Sequence, residues 1–137
     1  MIQATSPGSR SNRKSTQVVL KHLACFYLEP VAETKKVIIG PIRLTYNSQE
    51  FTARISGNLV LTIKKNDNII ITNGGYLDGK GNPTAATREL INGIMDTLEA
   101  QKLAPYVRAY IEDGVGKLRI GDTEHLLNKS VSHHLVY

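Results

Sequence analysis

The sequence predicts an α+β domain, an antiparallel sheet of five or more strands with one main amphipathic helix packed on one face. Three observations lead there. Between Lys36 and Thr72 five β-rich segments are separated by breaks of hairpin length. Within them apolar and polar residues alternate, as in Ile42-Arg43-Leu44-Thr45-Tyr46 and Phe51-Thr52-Ala53-Arg54-Ile55, which is the period of a half-buried antiparallel sheet. Further on, Leu90, Ile91, Ile94, Met95 and Leu98 recur at helical spacing and form one apolar stripe.

Taken in order, residues 1–15 are rich in Ser, Gly, Asn and basic residues and too poor in apolar groups to offset the entropy of ordering them. They read as a flexible basic N-terminal arm, with Arg10, Arg13 and Lys14 able to track phosphates, preceding a single domain over 16–137. The run from Thr16 to Leu28 is apolar enough to be buried as a strand or a short helix. Val18, Val19, Phe26 and Tyr27 favour the strand. The segments Val37–Ile39, Ile42–Tyr46, Phe51–Ile55, Leu59–Ile63 and Ile69–Thr72 form a meander, turning at Asn47-Ser48, Ser56-Gly57-Asn58 and Asn66-Asp67-Asn68. Pro41 lacks an N–H and so marks a sheet edge or bend.

The main helix is expected over 83–103, with Asn82 as N-cap and Pro83 in its first position, or with Thr84 as the cap. Arg88, Asn92, Asp96, Glu99 and Lys102 fall on the side away from the apolar stripe, and Pro105 stops the helix. Gly93 suits a close approach. Tyr106–Ile111 and Lys117–Ile120 read as a hairpin turning at Asp113-Gly114, with a short helix over 105–112 as the alternative. The apolar Leu135-Val136-Tyr137 end suits a last strand or a partner contact.

Composition narrows the function classes. The chain has 137 residues, 41% of them hydrophobic, enough for one core without a disulfide or metal staple. A single cysteine, no charged-then-apolar leader and no apolar run of membrane length place the expected home in a reducing cytoplasm, away from membranes. Lys and Arg outnumber Asp and Glu by 17 to 12, for a net charge of +5, a balance that favours polyanions.

Four groups of residues carry candidate chemistry. Gly74-x-x-x-x-Gly79-Lys80 follows a strand and precedes a helix, as a Walker phosphate loop does, but position 81 is Gly where magnesium coordination needs a hydroxyl. Nucleotide hydrolysis is therefore not expected. A phosphate held by Lys80, Thr84, Thr87 and Arg88 with free helix N–H groups is the simpler use of that loop. His22-x-x-Cys25 offers half a metal site, to which His125, His133 or His134 could add nitrogens, and Cys25 with a distant histidine could form a thiol and base, but the apolar surroundings favour core packing, and neither a metal nor a cofactor is expected. Arg43, Arg54 and Lys64 lie on strand positions opposite in parity to Tyr46 and Phe51. The aromatics therefore belong to the core and the cations to solvent, which suits phosphate contact and not base stacking. Arg108, Lys117 and Arg119 alternate in the same sense and extend the basic face. No catalytic residue emerges.

The order of Leu44-Thr45-Tyr46, paired strands, Tyr76, Thr84-x-x-Thr87-Arg88 and then an amphipathic helix resembles small bacteriophage-encoded domains of unknown function. The likeness spans residues 42–98 and implies a mobile-element accessory protein acting on host or phage machinery. The leading expectation is a non-catalytic nucleic-acid-binding protein that contacts phosphates. The alternatives are a phage protein-interaction or inhibitor module working through a sheet edge or its own copy, and a binder of a small phosphorylated ligand at the 74–84 loop.

Overall fold

The structure, a computed structural model, describes residues 14–65, 68–72, 77–127 and 132–136. Its first element corrects the sequence reading. Lys14–Leu28 is a helix, α1, with Thr16, Val19, Leu20, Leu23 and Phe26 buried. Those positions follow the 3.6-residue period, and packing of that stripe outweighs the strand preference of single Val and aromatic residues. Lys14 and Ser15, assigned above to the arm, open this helix, and Arg10 and Arg13 lie outside the described residues.

The meander follows as expected. Strands β1 (Lys35–Ile39), β2 (Ile42–Tyr46), β3 (Glu50–Ile55), β4 (Asn58–Lys64) and β5 (Asn68–Thr72) run antiparallel, and β9 (Ser132–Val136) adds to β5, for the order β1-β2-β3-β4-β5-β9. Gly40 and Pro41 turn β1 into β2 at its edge, with Gly40 at a φ of 57°. Asn47 Oδ1 accepts from the N–H groups of Gln49 and Glu50 at 2.8 and 3.0 Å, closing the next turn. Ser56 and Gly57 take φ of 50° and 82° in the two-residue turn to β4, the left-handed pair that matches strand twist. A register shift between Ala53 and Arg54 gives β4 one extra residue, so Val60 and Leu61 are both buried.

The main helix, α2, spans Ala85–Ala100 with Thr84 as its N-cap, the second of the two caps considered above; Thr84 Oγ1 accepts from the N–H of Thr87 at 3.3 Å. Asn82 does not cap. It is buried, its Oδ1 accepting from Gly116 N and its Nδ2 donating to Gly114 O, both at 2.8 Å. The helix closes before Pro105 through Leu103 N to Leu98 O (2.8 Å) and Lys102 N to Glu99 O (3.0 Å), with Lys102 at a φ of 59°.

A second antiparallel sheet, β6 (Val107–Glu112), β7 (Val115–Ile120) and β8 (Thr123–Leu126), is separate from the first. The hairpin expected at Asp113-Gly114 is present, with φ of 53° and 75°. This sheet covers part of the polar side of α2, at Asn92 and Asp96, while Glu99 and Lys102 stay exposed. The Asn92 amide donates to Ala109 O at 2.9 Å and accepts from Ala109 N at 2.7 Å, covering the edge of β6 as a neighbouring strand does. Asp96, only 8% exposed, meets Arg108. The helix thus lies between α1 and β4 on one side and β6 on the other. One core joins Leu20, Leu23 and Phe26 of α1 to Phe51, Leu61 and Ile71 of the larger sheet and to Ile91, Ile94 and Leu98 of α2. No helix among the described residues is long and apolar enough to cross a membrane.

Candidate nucleic-acid interface

Register, which follows from the two tight hairpins, decides where the cations gather. Along the larger sheet Lys36 pairs with Thr45, Thr45 with Thr52, Thr52 with Thr62, Thr62 with Ile70, and Ile70 with His134. This row crosses all six strands on the face away from Leu44, Phe51, Ile63 and Ile69. Beside it Ile38 pairs with Arg43, and Arg43 stands directly opposite Arg54. Opposed residues on one face carry their Cβ atoms about 4.5–5.5 Å apart, where like charges repel. Arg43 is exposed and Arg54 half-buried, and neither makes an ion pair with an acid among the described residues. Among the described residues the Arg54 guanidinium reaches the Thr52 hydroxyl, at 3.5 Å, while that hydroxyl donates to Thr45 O at 3.2 Å.

Tyr46 and Phe51 point the other way, into an aromatic cluster with Phe26, so the parity argument for core aromatics and surface arginines holds. Lys64 lies opposite Glu50, which offsets its charge. Among the described residues the open face carries no phenylalanine or tyrosine side chain, and its one ring is the imidazole of His134 at a margin. It combines two arginines, Lys36 at one margin, the half-buried Thr45 and Thr52, and His134 at the other margin, while Thr62 in the middle of the row is buried.

The remaining sequence candidates do not converge on it. Arg108 Nη1 sits 2.9 Å from Asp96 Oδ2. Lys117 Nζ contacts Glu112 at 2.8 Å and Glu124 at 3.0 Å, which raises its pKa far above the ordinary lysine value. Arg119 faces Glu124 across β7 and β8. These three cations belong to the smaller sheet and stand beside acids, so they do not extend the basic face of the larger one.

The loop before α2 is closed on itself. Asp78 Oδ1 accepts from Lys80 N at 2.8 Å and Asn82 N at 3.0 Å, and those N–H groups hold its carboxyl below the usual range. A negative charge thus occupies two of the loop amides, and of the helix N–H groups that of Thr87 is taken by Thr84. Thr87 is 1% exposed and shares its hydroxyl contact with Thr84 at 3.0 Å. Arg88 donates to Pro83 O at 2.7 Å, and Lys80 is left as an exposed side chain. Gly74 lies outside the described residues.

His22 and Cys25 project from α1 against the larger sheet. His22 Nδ1 is 2.8 Å from the Tyr46 hydroxyl, and burial, then Lys21, lowers the imidazole pKa. Cys25 is half-buried and packs against the core. Both are used in packing the helix on the sheet.

Comparison of the chain with family models gives no match, and comparisons with curated proteins and with solved structures give none either.

Proposed function

We propose that the open face of the larger sheet binds nucleic acid through its phosphates, without catalysis. The observation that carries this reading is the Arg43–Arg54 opposition with no carboxylate in contact among the described residues. A phosphate placed between two guanidiniums converts a repulsion into two charge-assisted interactions, and the planar fork of arginine suits that geometry. Lys36 and the Thr45 and Thr52 hydroxyls continue the polar track along the row. With no phenylalanine or tyrosine platform among its described residues, the face is suited to backbone contact and to little sequence preference. A small phosphorylated ligand at the 74–84 loop is the weaker reading, since Asp78 already occupies the loop amides.

Fluorescence anisotropy with single- and double-stranded DNA and RNA tests it. Affinity is expected to fall steeply as salt rises, and the Arg43→Ala/Arg54→Ala double variant to lose roughly 10- to 100-fold while the salt slope drops by about 2. Lys80→Ala is expected to bind as the parent does. Absence of binding at low salt, or equal loss in the Lys80 and arginine variants, overturns the assignment.

A further inference from the structure

The two sheets treat their edges differently. On β6 the backbone groups of Ala109 are taken by Asn92. On β1 no hydrogen bond from another described element reaches the outer edge, and Ile38, 68% exposed, is the most exposed large hydrophobic residue described. An open row of N–H and C=O groups is a template for another strand.

The strand reads Lys35-Lys36-Val37-Ile38-Ile39, with cations at one end and isoleucines at the other. Directly opposed residues of an antiparallel pair share a face, so a two-fold axis relating two copies of β1 passes through a residue. An axis at Lys36 sets Lys36 against Lys36. An axis at Ile38 sets Lys36 against Gly40 and Lys35 against Pro41, where the chain has already turned. An axis at Val37 uses all five residues, places each lysine opposite an isoleucine, and apposes no like charges. Lysine stems can then lie along the isoleucine side chains with their ammonium groups in water.

We propose that β1 pairs antiparallel with β1 of a second copy of this chain in the register centred on Val37. The two six-stranded sheets become continuous, and both Arg43–Arg54 pairs come to lie on one surface. One strand pair buries less than a standard interface, so the dimer is weak and forms at micromolar concentrations or above. The proposal does not depend on nucleic-acid binding, and Arg43→Ala/Arg54→Ala leaves it intact.

Sedimentation equilibrium of the full chain from about 10 to 500 µM, at moderate salt, is the test. The parent is expected to show a monomer–dimer equilibrium. Ile38→Lys, which sets lysine against Lys36 of the second copy at both ends, is expected to weaken it at least tenfold. Ile38→Glu is expected to tighten it, and melting is followed beside both because Ile38 stands opposite Arg43, so that lysine there lowers and glutamate raises monomer stability only slightly. A parent that stays monomeric throughout, or a dimer indifferent to both substitutions, overturns the interface. Weakening by both overturns the register, since that pattern belongs to an axis at Ile38.

Discussion

Each sheet sets two arginines directly opposite one another, Arg43 with Arg54 in the larger and Arg108 with Arg119 in the smaller. The surroundings differ. In the smaller sheet Asp96 reaches Arg108 from α2, and Glu124 lies opposite Arg119. In the larger sheet the neighbours are Thr45, Thr52, Ile38 and Leu59. The same local motif is thus neutralised where the sheet is part of the scaffold and left charged where the sheet is open. An uncompensated like-charge pair costs stability, and a ligand can recover that cost where a neighbouring acid has not.

The contrast can be broken most severely at Gly116, where the smaller sheet meets the loop before α2. A Cβ there would lie 2.6 Å from Pro83 Cδ and closer still to Leu127 O. Gly116→Ala is therefore expected to cost about 3 kcal/mol or more by overpacking against backbone, measured by denaturant unfolding. A cost under about 1 kcal/mol would show that this joint yields. Next is Asp96→Ala, which leaves the half-buried Arg108 without its carboxylate and is expected to cost about 2 kcal/mol. A double-mutant cycle with Arg108→Ala should return part of that loss.

A smaller effect of opposite sign is expected in the larger sheet. Arg54→Thr removes the repulsion with Arg43 and should stabilise by about 0.5 kcal/mol at low salt, fading as salt screens the pair. A clear destabilisation would mean that the arginines are held by contacts beyond those described. Acid supplies the mildest distinction. Hydrogen bonds from the Tyr110 hydroxyl, then Lys117, hold the Glu124 carboxyl below its ordinary value. A depressed carboxylate stabilises fully above its unfolded pKa and loses that contribution as pH falls through the folded one. The β8 amides should therefore lose protection, relative to their unstructured exchange rates, ahead of those of β2 and β3 as pH falls below the ordinary glutamate value.

Much of the larger sheet was legible because alternation and turn chemistry agree there. Asn47, Ser56-Gly57 and Gly40-Pro41 set the hairpins, and parity alone separated Arg43 and Arg54 from Tyr46 and Phe51. The direct opposition of those arginines needed register as well, which a shorter or longer turn would have changed. α1 was misread because Val and aromatic preferences were weighed above the spacing of Val19, Leu20, Leu23 and Phe26. The second sheet was not legible as separate, since strands carry no local mark of the sheet they join. Asn92 and Asp96 could be placed only on the side away from the apolar stripe for the same reason: their partners, Ala109 and Arg108, are set by how β6 docks and not by anything on the helix. The loop at Lys80 was read for its glycines and lysine, while the deciding group was Asp78.

The pairing of β5 with β9 brings together residues 60 positions apart, Thr72 and Ser132. Everything between, α2 and the whole smaller sheet, must be accommodated before that pairing closes, and a long closure is entropically slow. Until then the Ile69-Ile70-Ile71 strand remains an unsatisfied margin of three consecutive isoleucines. Refolding yield should consequently fall as protein concentration rises, because another molecule can reach that margin before the chain's own final strand does.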